Sequence, residues 1–509
     1  MNIKEAKIEI TKAIQAYLQK NEYGEPMIPS IRQRPILLMG APGIGKTAIM
    51  EQVAQECGIG LVAYSITHHT RQSAIGLPFI SQKEFGGKSY STTEYTMSEI
   101  VASVYEKMEE TGLLEGILFI DEINCVSETL APAMLQFLQA KTFGTHKIPE
   151  GWLIVAAGNP PEYNKSVREF DVVTLDRVKV IDVEANFAVW KEYAYQMGIH
   201  SSILTYLEIQ KNHFYHMETT IDGKRFVTAR GWEDLSAFLY VYEKMGEDLT
   251  EATIIQYLQH PKIAKNFANY LELYKKYEMQ YPVAEILHGD ITEAKDLSTA
   301  KFDEIISVLG LFLGALTQEF KLAYEWDLRV TLCHKTLQNL KERFQSPYCK
   351  ETPWDLLMNG IVEELSLEFT QKVKGNLLQA SEKHAYQWVI GELTNWIQNI
   401  KTSGITEKDA VFEYCKTVFQ EHVETRQIAI DSAGNQLENA FVFLENTFGA
   451  GQELVIFLTE LHTNFYSVWL LQEWDSPKYY QYNESLLFGE QKNKLQEEIA
   501  AFQRGSLLY

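Results

Sequence analysis

The 509-residue chain has little cysteine: Cys57, Cys125, Cys333, Cys349 and Cys415, an odd number with no Cys-x-x-Cys pair among them. A thiolate zinc site and a redox loop are thereby excluded, and a reducing cytoplasm is the expected compartment. Basic residues are also scarce, 46 Lys and Arg against 68 Asp and Glu. The net charge of −22 is spread evenly, −10 before Pro261 and −12 from it onward, so no basic domain hides behind an acidic one. That balance argues against a surface built to track the phosphates of nucleic acid or anionic lipid. Long apolar runs are missing too. The longest, Ile305 to Leu316, is 12 residues, short of the roughly 20 that cross a bilayer. Met1 to Lys20 mixes Lys and Glu among its apolar positions, which is not the core of a signal peptide. Fixed-period repeats and low-complexity segments are absent, leaving no ground for a solenoid or a linker protein.

What is present is ordinary globular composition, 46% hydrophobic and 22% charged, over a length that suits two to four domains. Ile3, Ile10, Ile14, Tyr17 and Leu18 recur at helical spacing, so a helix and lead-in occupy residues 1–30. Then come apolar runs with the character of buried strands, Pro35 to Met39, Ile59 to Ile66, Ile117 to Ile120 and Trp152 to Ala157. Helical stretches at Lys46 to Glu56, Met97 to Glu110 and Glu128 to Ala140 separate them. Strands alternating with helices predict an α/β fold with a parallel sheet, here over residues 31–185. Gly76 to Tyr95 and Phe143 to Pro149, rich in turn formers, read as hairpins. From Asn186 the strand signal fades. Residues 186–260 and 261–509 are helical in pattern, the second a large region of unassigned role and a candidate for partner binding.

The first apolar run ends in Gly40-Ala41-Pro42-Gly43-Ile44-Gly45-Lys46-Thr47 followed by Ala48, the phosphate-loop pattern at every fixed position, between a strand and a helix start. Its glycines let successive N–H groups turn toward a β-phosphate at a helix N-terminus. Lys46 suits a bridge between β- and γ-phosphates, and the Thr47 hydroxyl suits magnesium. Seventy-five residues after Lys46, Asp121 and Glu122 follow the apolar run Gly116 to Ile120. That is the carboxyl end of a strand, the edge where open α/β sheets bind ligands. Asp121 suits the metal and Glu122 the activation of a water. Trp152 to Gly158 ends in Asn159, an amide able to hydrogen-bond that water or the γ-phosphate.

These motifs, in this order, resemble the AAA+ ATPases, P-loop enzymes that hydrolyse ATP with magnesium, and within them the MoxR-like branch. The resemblance covers Ile31 to Tyr257. It implies Walker A at Gly40 to Thr47, Walker B at Asp121 and Glu122, and Asn159 as sensor one. The two hairpins are similar to that branch's inserts. Thr174-Leu-Asp-Arg177-Val is similar to the element that carries the arginine finger, with Arg168 nine residues earlier as a second candidate. Phe226-Val-Thr-Ala-Arg230-Gly-Trp resembles the start of the lid helix with sensor two, so the resemblance makes residues 186–260 a helical lid and gives Arg230 that role. The resemblance further implies a ring, commonly a hexamer, and chaperone-like action on a protein partner. In the most similar type that partner carries a von Willebrand factor A domain.

Two rival functions remain open, a nucleic-acid motor with pore lysines such as Lys147 and an ATP-switched scaffold with little turnover. Outside the motifs, His213, His216 and Glu218 have the residue types of a metal triad without its spacing, and His68-His69 reads as a loop pair. Phe465 to Leu470, Trp474, Tyr479, Tyr480 and Tyr482 are expected to pack in a core, because about 250 helical residues need one.

Overall fold

The structure is a computed structural model that describes residues 1–484 apart from 69–73, 75, 144–145, 164–166, 168–169 and 222. The chain divides into two compact units. The first comprises Met1–Val189, Thr228–Arg230 and Gly360–Ile390, and the second Trp190–Val227, Gly231–Asn359 and Gly391–Tyr509.

The first unit begins with α1 (Ile3–Leu18), started by a reciprocal capping box between Asn2 and Glu5. There follow β1 (Ile36–Gly40), α2 (Lys46–Cys57), β2 (Gly60–Ser65), β3 (Pro78–Phe85), β4 (Lys88–Tyr95), α3 (Glu99–Thr111) and β5 (Gly116–Asp121). Next are α4 (Ala131–Ala140), β6 (Thr142–Phe143), β7 (His146–Lys147), β8 (Trp152–Gly158), the single turn α5 (Val172–Leu175) and β9 (Lys179–Val183). Five strands form a parallel sheet in the order β2-β5-β8-β1-β9. Leu37, Leu118, Ile120, Ile154 and Ala156 share one apolar cluster with Ile100, Val101 and Val104 of α3 and Met134, Phe137 and Leu138 of α4. The alternate residues Leu38, Ile117, Phe119, Val155 and Ala157 are equally buried. Burial on both faces is why these strands read as continuous apolar runs.

Both expected hairpins are present. β3 pairs antiparallel with β4 around Gly86 and Gly87, whose φ values of 59° and 77° give the mirror-image turn that closes a two-residue loop. β6 pairs with β7 in the same sense. The fifth sheet strand was not anticipated: Lys179-Val-Ile-Asp-Val183 alternates in burial, as an edge strand does, and so lacks the continuous run.

The second unit contains a hairpin inside the region read as helical, β10 (His216–Thr220) with β11 (Gly223–Val227). Its residues are mostly polar and half exposed, so they carry no apolar period. The helices are α6 (Phe187–Met197), which begins in the first unit, α7 (Ser201–Ile209), α8 (Ala229–Met245), α9 (Glu251–Leu258), α10 (Pro261–Gln280) and α11 (Val283–His288). They continue as α12 (Phe302–Gln345), α13 (Trp354–Lys374), α14 (Ala380–Ser403), α15 (Lys408–Phe448), α16 (Gln452–Thr463) and α17 (Phe465–Glu473). By length and composition α12 is apolar enough to cross a membrane. Its apolar stretch nevertheless packs with Phe441, Phe443, Leu444, Phe457 and Leu461 in one cluster. Tyr466 and Leu470 are buried there, and Trp469, Trp474, Tyr479 and Tyr482 pack against it. Phe465 and Tyr480 stay 40% and 45% exposed, so the aromatic segment is core on one side only.

The C-terminal part of α13 and the N-terminal part of α14, with the turn between them, belong to the first unit. There the Asn376 carbonyl accepts a hydrogen bond from Gln55 Nε2 near the end of α2 (3.0 Å), and the Lys374 carbonyl accepts one from Lys107 Nζ of α3 (2.6 Å).

Candidate nucleotide site

The sheet order brings the ends of β1, β5 and β8 side by side at one edge. Gly40 closes β1, and the loop beyond it turns on Gly43 and Gly45, at φ 72° and 94°, a region that disfavours L side chains. A Cβ on Gly40 would meet the Val183 carbonyl at 2.6 Å, and one on Gly43 would meet the Thr228 side chain at 3.0 Å, so close neighbours also favour these glycines. Gly45 caps α2 without a side-chain hydrogen bond. The first N–H groups of that helix therefore have no capping side chain from their N-cap residue, the arrangement that holds a phosphate.

Lys46 is 8% exposed, and its ammonium donates to Gly40 O (2.7 Å), Ala41 O (2.8 Å) and Asn159 Oδ1 (2.9 Å). Burial lowers its pKa to about 8, partly offset by Asp121 and Glu122 and reinforced by Arg230. Thr47 Oγ1 donates to Asp121 Oδ2 at 3.1 Å. Two hard oxygens at that separation, one neutral and one anionic, fit neighbouring positions of an octahedral magnesium shell. Glu122 follows in the left-handed region at φ 57°, its N–H bonded to Asp121 Oδ1 (2.9 Å). A non-glycine there is strained, and such strain collects at functional sites. Nothing in the sequence signalled it.

Arg230 stands at the start of α8, and its N–H donates to Gly43 O at 3.4 Å. Its backbone is thus tied to the loop, and its charge acts on Lys46. Arg177 is exposed; its Nη1 donates to Gln139 Oε1, and hydrogen bonds from Thr174, with the charge of Arg177 behind them, hold the exposed Asp171 carboxyl below its ordinary range. Arg168 lies outside the described residues, as does His69. Lys46 is joined to Asn159 and Thr47 to Asp121 by hydrogen bonds, and Asp121, Glu122 and Arg230 all act on the charge of Lys46; Arg177 bonds Gln139 of α4.

A separate titratable cluster sits in the second unit, and its membership differs from the sequence reading. His216 and Glu218 share one face of β10, and the third member is His260, the N-cap of α10, with candidate ligand atoms within 4.8 Å of one another. His213 instead bonds the Tyr206 hydroxyl through Nδ1 (2.8 Å). His260 Nδ1 accepts the Ile263 N–H at 3.3 Å. In that neutral tautomer Nε2 carries the proton; it lies 3.3 Å from Glu218 Oε1 but makes no hydrogen bond among the described residues, and it offers no lone pair to a metal.

Residues 36–174, a little over a quarter of the chain, match the family described as "ATPase family associated with various cellular activities (AAA)". No curated protein matches the chain. The matched span contains the phosphate loop, Asp121, Glu122 and Asn159. The first unit thus carries an AAA-type ATPase domain, with ATP hydrolysis of the P-loop kind as its activity.

Proposed function

We propose that this AAA-type ATPase hydrolyses ATP with magnesium in a ring of like subunits and uses the nucleotide cycle to remodel a protein partner. In this reading Thr47 and Asp121 hold the magnesium, which neutralises phosphate charge when bound. Lys46 exchanges part of its carbonyl contacts for phosphate oxygens. Water attacks the γ-phosphorus in line, the bond to the β-bridging oxygen breaks, and Glu122 accepts the proton of the water while Asn159 orients it. Arg230 stabilises the charge within the same subunit.

The observation that carries the ring is the position of Arg177. An arginine exposed on the surface and bonded to Gln139 suits transition-state charge on a neighbouring subunit. The von Willebrand factor A partner and the MoxR-like assignment rest on the motif resemblance, and a cytoplasmic location on cysteine usage. Acidic charge disfavours the nucleic-acid alternative. The test is light scattering of Glu122→Gln with and without ATP and magnesium, alongside phosphate release by the wild type with excess chelator. Assembly on ATP and loss of turnover on chelation are expected. A chain that stays monomeric with ATP would remove the ring, turnover unaffected by chelation would remove the metal, and turnover stimulated several-fold by DNA would favour the motor reading.

A further inference from the structure

We propose that Asn124 is a positioning residue for ATP hydrolysis, a clamp whose side-chain amide holds the backbone of Asn159 and so keeps the Asn159 carboxamide against Lys46. The inference rests on the reading of Lys46 and Asn159 as parts of the hydrolytic site and adds the residue that fixes their geometry.

The pairing of β5 with β8 runs from Gly116 opposite Trp152 to Ile120 opposite Ala156. Past that point the two strands part. β8 continues to Gly158, whereas the chain after Asp121 turns through the left-handed Glu122 into the short helical turn Ile123–Cys125. Asn159 would be left with no strand on the β5 side. Asn124 takes that place. Its Nδ2 donates to Asn159 O at 2.8 Å, and its Oδ1 accepts the Asn159 N–H at 3.3 Å, so one carboxamide satisfies both backbone groups of a single residue. This is the hydrogen-bonded pattern a neighbouring strand would supply. Asn124 is 2% exposed, so water does not compete for these bonds.

Gly158 belongs to the same device. A Cβ there would lie 2.8 Å from Asn124 Oδ1 and 2.9 Å from its Cγ, so the clamp closes only over glycine. With both of its backbone groups held by Asn124, Asn159 Oδ1 stays 2.9 Å from Lys46 Nζ. The turn that carries Glu122 is thereby tied to the strand end that carries Asn159, and the two groups that must share one water keep a common frame. An error of about 1 Å in such an alignment costs on the order of a hundredfold in rate.

The test uses the full chain with steady-state ATP turnover, fluorescent nucleotide affinity and thermal melting for Asn124→Ala, Asn124→Asp, Asn159→Ala and the double variant Asn124→Ala with Asn159→Ala. Asn124→Asp is isosteric and keeps the acceptor while replacing the donor, so it reads the clamp even if the alanine variant fails to fold. Both Asn124 variants are expected to lower kcat by about tenfold to a hundredfold with nucleotide affinity changed less than about threefold. Asn124→Ala is expected to add little further loss in the Asn159→Ala background, because it acts through that residue. A wild-type kcat in Asn124→Asp would overturn the clamp while leaving the Asn159 role intact. Losses that multiply in the double variant would also overturn it, by showing that Asn124 acts elsewhere. A wild-type kcat in Asn159→Ala would remove the role of Asn159 itself and the clamp with it.

Discussion

Two buried lysines show how one physical cause, desolvation, bears on different outcomes at the scale of single residues. Lys46 titrates near pH 8 without nucleotide, and only its charged form attracts a triphosphate. Affinity for a non-hydrolysable ATP analogue is expected to be flat below pH 7.5 or so and to weaken above about pH 8, by up to about tenfold per pH unit. A calorimetric titration series that stays flat to pH 9.5 would contradict it. Glu122→Gln is expected to keep that affinity while lowering kcat by about a hundredfold or more, as loss of a general base does, read as phosphate release. Lys141 has no phosphate to meet. It is 7% exposed, bonded to Gln33 Oε1 at 3.0 Å, and lowered to about 8 by burial alone. The native state thus holds its proton less tightly than the unfolded chain, whose lysine titrates at 10.5. The penalty is complete below pH 8 and is recovered as pH rises from 8 to 10.5. A depression of that size corresponds to about 3 kcal/mol, part of which Lys141→Met would forfeit by stranding Gln33. The variant is expected to be more stable than wild type at pH 7 by about 1 to 2 kcal/mol and to lose that advantage near pH 10, as urea midpoints at the two pH values would show.

Between elements, close approach decides which positions tolerate change. α12 crosses α7 at Gly310, where a Cβ would fall 2.0 Å from Thr205 Oγ1 and 3.0 Å from its Cβ. Gly310→Ala is expected to destabilise by about 1 to 3 kcal/mol through overpacking, although alanine is the better helix former. Thr205→Ala should recover part of that loss, and a melting temperature that rises in the single variant would refute the packing argument. This contact illustrates what the sequence hid. The phosphate loop, Asp121, Glu122 and Asn159 were legible because each motif lies on consecutive residues at a strand end, where local pattern and function coincide. β9 was not, since its edge position leaves an alternating rather than continuous apolar pattern. β10 and β11 are too polar to show a period, and His260 joined the His216 pair from 44 residues away. Residues 360–390 belong to the first unit, and the hydrogen bonds from Gln55 and Lys107 fall on backbone carbonyls, which carry no residue signature. Asn124 sat in plain view beside the carboxylates, but its role lies in two bonds to another residue's backbone.

For the assembled molecule, the decisive question is whether the exposed arginine serves its own site or a neighbour's. If Arg177 acts across an interface, Arg177→Ala leaves a subunit with an intact Glu122 and no finger to offer, while Glu122→Gln leaves one with a finger and no base. Each pure protein should be close to inactive, with losses of about a hundredfold or more. In a ring formed from equal amounts of both, a productive site needs an Arg177→Ala subunit followed by a Glu122→Gln subunit. Random mixing supplies that pair at about a quarter of the positions, so turnover is expected to recover toward about a quarter of wild type, provided subunits exchange before assay. If Arg177 serves its own subunit, every site lacks one group or the other and mixing recovers nothing. Size-exclusion chromatography of differently labelled variants verifies exchange independently of activity. Mixed rings that form and stay inactive would place Arg177 outside the shared site and return the ring reading to the motif resemblance alone.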